Sequence, residues 1–544
     1  MDVKKGEIFN AVKVAQLPRN TFDLTHQHVT TCNFADLIPI MTLEAMPGDI
    51  FNLSCETFMR LQPMITPMFH RCDVTVHYFY VPNRLLWDGW EDFITGNNAL
   101  DGGLNTPVAP YFKMSSLSFG DWDESKTLLN YMGCEIDFAT KIDNAGFGTY
   151  GISALAPAAY TKIYYDYYIP RELAQKENLQ YEFQKLENGL NDTDLERWLR
   201  LRKKGWQRDY FTSALPYAQK GDAVLIPMEG DVLLDSTATA AGQIKASVGH
   251  ANLTGDVTAA AGTMQNVGGV TSNAVYDPNG TLIVNNAQTT INDLRRAMRL
   301  QEWLEKNARA GTRYSESLRI HFGVISSDAR LQRAEYITGI KSPIIVSEVL
   351  ATAATAELPQ GNMSGHGMAM ADGGYDSFYC EEHGFVIGIL SVTPKTAYST
   401  GLPRFFTKRA DFMDYPWNEF ANLGEQEIEQ VEIQASFTGG VVPTTTFGYI
   451  PRYSEMKFKN DMITGDFADS EAGVLGSLRT WVMQREFGGL FTSGNAALNT
   501  NFITGDIQDV AAAPFAIDDT PLMVQQVNKV KVSRKLPVYG TPSF

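Results

Sequence analysis

Two neighbouring runs of alternating residues constrain the fold of this chain more than any other feature. In the second run, residues 71–82 (RCDVTVHYFYVP), one set of side chains alternates with another: Cys72, Val74, Val76, Tyr78 and Tyr80 against Asp73, Thr75, His77 and Phe79. A two-residue period is that of a β-strand with one face buried more deeply than the other. Residues 49–61 form the first run, and the turn QPMITPMFH joins the two. Both runs predict strands.

Weaker strand signals recur along the rest of the chain. They lie at residues 223–228, 319–325, 343–350, 383–394, 429–437 and 445–453. The chain has 30 Phe and 23 Tyr against 8 Trp, with 45 Gly and 24 Pro, and this composition favours strands and turns over a helical bundle. About eight strands with long irregular connections fit a sandwich of two sheets. We therefore predict a mainly β fold.

Two short helices are predicted between the strands. In the first, residues 193–205, Thr193 is the expected N-cap, Glu196 is its capping-box partner and Gly205 ends the helix. The second covers residues 292–311. Its apolar face would consist of Leu294, Met298, Trp303 and Leu304.

Residues 229–290 differ from the rest of the chain in composition. They are rich in Ala, Gly, Thr, Val and Asn, and Tyr276 is their only aromatic residue. Such a segment cannot build a core alone, so it is either a disordered linker or an insertion ordered by contact with neighbouring copies. Strand-like sequence resumes on both sides of it. We therefore predict an insertion into one loop of a core formed by residues 1–228 and 291–544.

Charge and cysteine content narrow the class of protein. A net charge of -17 and a pI of about 5.0 argue against a protein that mainly coats nucleic acid, because such binding depends on Lys and Arg. The five cysteines are scattered and form no CxxC pair, which indicates a reducing compartment. Neither a signal peptide nor a membrane span is recognisable, and we expect synthesis in a cytoplasm.

The sequence contains no recognisable enzyme or metal site. GFGTYG at residues 146–151 has the spacing of a dinucleotide-binding loop, but the strand and helix that such a loop needs are missing. His26 and His28 form an HxH pair, and Cys380 and His383 form a CxxH pair, but neither is joined by further ligands at a suitable spacing. We predict no catalytic residues, no bound metal and no cofactor.

Residues 196–211 (ERWLRLRKKGWQRDYF) place basic residues between aromatic ones. Arg200, Lys203 and Lys204 are candidates for contact with single-stranded nucleic acid, whose bases stack on aromatic rings. The alternative is a capped helix with a basic face towards solvent or another subunit and its aromatic side chains in the core.

A second basic stretch lies at residues 528–535 (NKVKVSRK). Its candidate residues for contact with nucleic acid are Lys529, Lys531, Arg534 and Lys535. The alternative is that these charges keep an edge strand soluble.

Several long blocks resemble the major capsid protein of the microvirus family, on the gokushovirus side. The blocks are FDLTHQHVTTCNFADLIPI (residues 22–40), FMRLQPMITPMFHRCDVTVHYFYVPNRLLW (58–87), RDYFTSALPYAQKG (208–221), HFGVISSDARLQRAEYI (321–337), FFTKRADFMDYPWNEFANLGEQEI (405–428) and FGYIPRYSEMKFKND (447–461). They cover most of the chain outside the Ala/Gly/Thr-rich segment.

This resemblance implies an eight-stranded viral jelly-roll β-sandwich with long loop insertions and a few short helices. About sixty copies would form a T=1 icosahedral shell around circular single-stranded DNA. In such proteins an insertion at the position of residues 229–290 forms protrusions at the three-fold axes that are thought to meet the host. Asn252, Tyr276 and Asn279 are the candidate host-facing residues.

The expected function is therefore structural: the chain would be part of a virion and would be made in the cytoplasm of a bacterial host. Expected partners are further copies of the chain, scaffolding and minor phage proteins, packaged single-stranded DNA and a host surface receptor. About sixty copies would carry a charge on the order of -1,000, so a small basic DNA-binding protein or polyamines should share the interior, beside basic residues such as residues 529–535. The rival interpretations are a carbohydrate-binding or carbohydrate-active β-sandwich, and a nucleic-acid-binding protein that acts alone.

Overall fold

Strands and short helices alternate along most of the described chain. The computed structural model describes residues 18–62, 68–95, 107–113, 127–134, 151–191, 195–222, 224, 232–234, 245–246, 275–276, 282–284, 291–310, 319–321, 332–350, 363–409, 411–435, 445–468, 478–485, 498–504 and 520–539. No helix in these ranges is both long enough and apolar enough to cross a membrane.

The strands are numbered in chain order. They are β1 (Asn20–Asp23), β2 (His26–Cys32), β3 (Ile38–Ala45), β4 (Ile50–Leu61), β5 (Cys72–Pro82), β6 (Tyr111–Lys113), β7 (Gly151–Ser153), β8 (Val232–Leu234), β9 (Lys245–Ala246), β10 (Val275–Tyr276), β11 (Leu282–Val284), β12 (Glu335–Pro343), β13 (Ile345–Leu350), β14 (Met363–Tyr379), β15 (Gly384–Pro394), β16 (Ala397–Tyr398), β17 (Glu425–Glu429), β18 (Thr446–Pro451), β19 (Asp461–Met462) and β20 (Leu522–Arg534).

The helices are mostly short. The α-helices are α1 (Trp90–Thr95), α2 (Leu128–Tyr131), α3 (Leu155–Ile163), α4 (Arg171–Lys176), α5 (Leu195–Leu199), α6 (Ile291–Ala310), α7 (Gln430–Ile433), α8 (Ser454–Lys457) and α9 (Thr500–Ile503). A π-helical turn, Tyr164–Tyr168, continues α3. The 3-10 turns are Asn83–Leu85, Arg404–Phe406, Phe412–Asp414, Asn418–Phe420, Gly465–Ala468 and Leu478–Trp481.

Two antiparallel sheets carry the fold. The first has the order β1-β20-β4-β14-β13, and β2 also pairs with β20. The second has the order β12-β5-β15-β3. The long ladders fix the register: Leu522 of β20 lies opposite Leu61 of β4, and Cys72 of β5 lies opposite Pro394 of β15. The mainly β prediction is confirmed.

The main apolar core lies between these two sheets. The inward side chains of β4 and β20 pack there against those of β5, including Phe51, Val76 and Val530. A second apolar cluster, which includes Phe79 and Tyr160, joins the other face of β5 to α3. Both faces of β5 are therefore covered, but the face that carries Val74, Val76 and Tyr78 is more deeply buried than the face that carries Asp73, Thr75 and His77, as predicted. A third cluster gathers β17, β18 and α9.

A hydrogen-bonded polar network crosses the main core. The Tyr78 hydroxyl donates to Asn528 Oδ1 (2.8 Å), and Asn528 Nδ2 donates to the carbonyl oxygen of Ile40 (2.9 Å). Thr57 Oγ1 donates to Gln526 Oε1 (2.5 Å), and Gln526 Nε2 reaches Asn528 Oδ1 at 3.4 Å. Gln526 and Asn528 are fully buried. The network therefore ties β20 and β4 of the first sheet to β3 and β5 of the second.

The chain divides into two compact units: residues 219–309 are continuous in sequence and interrupt the other unit. Within this shorter unit, β8 pairs with β11 and β9 pairs with β10, both antiparallel, so that one pair is nested inside the other along the chain. The predicted helix at residues 292–311 is confirmed as α6.

The strand predictions were correct at residues 49–61, 71–82, 343–350, 383–394 and 445–453, which contain β4, β5, β13, β15 and β18. The strand predicted at residues 429–437 is wrong. There β17 ends at Glu429, and a capping box between Glu429 and Glu432 begins α7 instead.

Three further predictions are corrected or lie largely outside the described residues. Residues 319–321 are helical, and the rest of the strand predicted at residues 319–325 lies outside the described residues. The strand predicted at residues 223–228 also lies outside them, apart from Val224, which belongs to neither a helix nor a strand. The helix predicted to end at Gly205 ends at Leu199, because Lys203 and Gly205 form β-bridges with other segments. Its expected N-cap, Thr193, is outside the described residues.

We predict that Asn528→Leu lowers the free energy of unfolding by about 2–4 kcal/mol, because the Tyr78 hydroxyl and the Ile40 carbonyl would lose their buried partner. Urea unfolding of the unassembled protein measures this change. Lys531→Leu, on the exposed face of the same strand, is the control and should change stability by less than about 0.5 kcal/mol. Equal effects of the two substitutions would contradict the role given to the network.

Candidate functional site

The basic candidate residues on β20 differ in the side chains that they contact. Lys529 and Lys531 point to the exposed face of the strand, and Lys529 forms an ion pair with Glu56 of β4. The hydrogen bond with Glu56 raises the pKa of Lys529. Lys531 is exposed and lies opposite Asp23 in the ladder with β1. β20 has β4 on one side and β1 and β2 on the other, so the interpretation as an edge strand is wrong.

Arg534 anchors the end of β20. Its Nε lies 2.8 Å from Oδ2 of the buried Asp49, and its guanidinium donates to the Glu44 carbonyl oxygen (2.6 Å). Lys535, the next residue, is exposed. The basic stretch therefore combines two cations that pair with carboxylates and two, Lys531 and Lys535, that reach solvent.

The aromatic residues of the other basic segment are buried in the cores. Trp198 belongs to the second cluster, Trp206 to the main core and Tyr210 to the third cluster. These rings are not accessible to stack on bases. Their burial agrees with the alternative interpretation, in which the aromatic side chains of this segment lie in the core.

The three basic candidates of that segment have different surroundings. Arg200 is exposed, and Lys203 forms a β-bridge with Asp36. Lys204 Nζ donates to Thr75 Oγ1 (2.8 Å). Burial, with a contribution from the neighbouring Lys341, lowers the pKa of Lys204 to about 8.

Lys204 belongs to a charged cluster that the sequence did not predict. At its centre is the buried Asp73, whose carboxylate lies 2.9 Å from Lys341 Nζ, 3.0 Å from Lys395 Nζ and 3.9 Å from Arg71 Nε. Burial raises the pKa of Asp73, but the hydrogen bonds from Lys341 and Lys395 outweigh it and hold the pKa below its usual range. This Asp73 cluster ties together the start of β5, the end of β12 and the segment after β15.

The histidine pair makes structural hydrogen bonds. His26 Nδ1 lies 2.8 Å from the Leu24 carbonyl oxygen, and His28 Nδ1 lies 3.0 Å from that of Ile40. Among the described residues, no group of three or more His, Cys, Asp or Glu side chains could hold a metal ion. The GFGTYG loop lies outside the described residues except for Gly151, which begins β7.

The candidate host-facing residues lie in the shorter unit. Asn252 and Asn279 are outside the described residues. Tyr276 lies in β10, where it pairs with Lys245 of β9. β8 and β11, which lie near the two ends of residues 229–290, also pair with each other.

Comparison with known proteins gives the family. The family model described as "Capsid protein (F protein)" matches residues 10–544. The chain belongs to this capsid protein family. Similar proteins include "Capsid protein VP1" of Bdellovibrio phage phiMH2K, which is 32% identical over 92% of this chain and 91% of the relative. The proteins of the same name in Chlamydia phage 1 and Spiroplasma virus 4 are 30% and 26% identical, and each comparison covers 98% of this chain and 97% of the relative.

The family decides the class of function. The chain is a capsid protein of the Microviridae, the single-stranded-DNA phages that the sequence blocks indicated, and it is located in the virion. It is a structural protein and not an enzyme. A capsid protein assembles into a shell of identical copies, so its functional sites are the surfaces through which those copies meet.

Among the described residues, the capsid protein has an exposed apolar surface that our sequence-based prediction missed. We call residues 402–409 and 411–423 the aromatic loop. Its side chains that are at least half exposed are Phe405, Phe406, Phe412, Tyr415 and Leu423, with Trp417 at 49%. A usable signal was present in FFTKRADFMDYPWNEF, where aromatic residues are frequent but follow neither the helical nor the strand period.

We predict that Asp73→Asn destabilises the unassembled capsid protein by about 2–3 kcal/mol, because Lys341 and Lys395 would lose their shared counter-charge. Chemical denaturation at 0.05 M and 1 M NaCl measures the change, and high salt should reduce it by screening the repulsion between the cations. Asp466→Asn, at an exposed carboxylate, is the control. A loss of stability that is independent of salt would contradict this electrostatic role.

Proposed function

We propose that about sixty copies of the capsid protein close into a T=1 icosahedral shell around a circular single-stranded DNA genome, and that a viral jelly roll forms the wall. The observation that carries this proposal is the strand order together with the family match over nearly the whole chain. Strands β2, β20, β4 and β14 are neighbours in one sheet, and β3, β15, β5 and β12 in the other. Eight strands divided between two sheets in this way fit a jelly roll.

The chain's own charge bears on how the genome is held. At -17 per copy, the shell carries the same sign of charge as DNA. We infer that a small basic protein or polyamines neutralise the genome, and that Lys531, Lys535 and Arg200 are the candidate residues best placed to assist, because all three are exposed. Lys529, Arg534, Lys203 and Lys204 would contribute less, because other parts of the chain hold them.

We expect uniform small icosahedral particles when the capsid protein is co-expressed with the scaffolding and minor phage proteins. Sedimentation followed by negative-stain electron microscopy detects them. DNA-filled particles should also contain a basic protein or polyamines, which mass spectrometry and amine analysis would find. Monomers with measurable sugar binding under these conditions would support the carbohydrate-binding alternative and overturn the proposal.

A finer proposal assigns host attachment to residues 229–290, including Asn252, Tyr276 and Asn279. Its support is the placement of this segment within a separate compact unit whose strands pair with each other. The sequence of such a segment can vary without disturbing the two large sheets.

We therefore expect that replacing residues 235–281 by a short Gly-Ser linker leaves β8 and β11 able to pair, allows assembly and abolishes adsorption to the host. Particle yield and adsorption to host cells are the two measurements. Normal adsorption of the shortened particles would remove this role.

A further inference from the structure

The aromatic loop presents its apolar side chains to solvent while polar contacts hold it from beneath. Arg404 donates to Glu432 Oε1 (2.7 Å) and to the Glu427 carbonyl oxygen (2.6 Å), and the Glu432 side chain is almost fully buried. Lys408 Nζ lies 3.2 Å from Glu455 Oε1, and both side chains are largely buried. Two of the three cations of the loop, Arg404 and Lys408, therefore form ion pairs with largely buried carboxylates, whereas Arg409 is exposed.

Further contacts fix the outer half of the loop. The Trp417 backbone amide donates to the Tyr453 hydroxyl (3.1 Å), and the Trp417 indole donates to the Phe412 carbonyl oxygen (3.1 Å). A capping box between Asp411 and Asp414 holds the turn between them. The exposed rings are thus held in position before any partner binds, which lowers the conformational entropy lost on binding.

A cavity of about 390 Å³ opens beside the loop. Its wall includes Phe405 of the loop and three apolar side chains from the segment after β18: Met456, Phe458 and Met462. These three are each about half exposed or more. The cavity, whose wall also contains the ion-paired Arg404, Lys408, Glu432 and Glu455, therefore adjoins the aromatic loop at Phe405 and is large enough to accept a ring.

We propose that the aromatic loop and this cavity form a contact between two copies of the capsid protein in the shell. The inference rests on the proposed function, since it names one of the surfaces through which the shell assembles. The occupant is a second copy of this chain, which supplies aromatic side chains to the cavity and receives those of the loop.

Area and charge favour a second copy as the occupant. Nine apolar side chains of this surface, each about half exposed or more, would bury on the order of 100 Å² apiece, which together is comparable to the roughly 800 Å² that one partner contributes to a stable interface. Copies that each carry -17 repel one another, so contacts between them need apolar area where charges are already paired. The Arg404–Glu432 and Lys408–Glu455 pairs meet this requirement.

The test replaces two exposed rings in the full chain, co-expressed with the other phage proteins. Phe405→Ser with Phe412→Ser should reduce the yield of sedimenting particles at least tenfold, whereas Phe405→Leu with Phe412→Leu, which keeps the surface apolar, should assemble. Tyr539→Ser, at an exposed ring outside the aromatic loop and the cavity wall, is a second control and should assemble. The melting temperature of the unassembled serine variant should stay within about 2 °C of that of the unchanged protein.

A cross-linking experiment identifies the occupant. With a benzophenone-bearing phenylalanine analogue at Phe412, irradiated particles should yield a covalent dimer whose linked peptide comes from a second copy of this chain. Links to the same copy, or to a different phage protein, would overturn the proposal, as would normal assembly of the serine variant. A large fall in the melting temperature of the unassembled serine variant would mean that the chain covers its own loop, which also overturns it. If the unchanged protein formed no particles, the proposed function itself would fail.

Discussion

The hydrogen bonds of Asn528 fix how the two sheets meet. Apolar side chains between two sheets can repack with little loss when one sheet slides, because dispersion and burial have no strong direction. A buried amide differs, since its donor and acceptor must both find partners or each costs about 1–3 kcal/mol. Asn528 finds the Tyr78 hydroxyl and the Ile40 carbonyl at one relative position of β20, β5 and β3. Every loop that leaves these strands depends on that position.

Part of the fold could be predicted because some strands carry a local pattern. β5 alternates, and β15 is a continuous apolar run that is buried along its whole length. β14 gives no such signal, because MSGHGMAMADGGYDSFY is rich in residues with low strand propensity. Its glycines are required by neighbours that are distant in sequence: a Cβ at Gly367 would overlap the side chain of Leu61. The sequence shows Gly367, but it does not show that Leu61 packs against it.

The contacts of the candidate site were also not predictable from the sequence, because they join residues that are far apart in the chain. The sequence displays the cations of β20 but not their partners, and Arg534 meets Asp49 across 485 positions of chain. The Asp73 cluster likewise joins segments that only the folded sheet brings together. The aromatic side chains between residues 196 and 211 illustrate the reverse problem. Their interleaving with Arg and Lys suits nucleic acid, yet the rings are buried in three different apolar clusters.

The place of β20 within its sheet has a consequence for the timing of synthesis. β1, β2 and β4 are made among the first residues of the chain, yet β20, which separates β4 from the other two, follows only at residues 522–534. Translation proceeds from the N-terminus, so the first sheet cannot close while the chain is still growing. On the ribosome, β4 therefore lacks its neighbour on that side of the sheet until β20 has been translated.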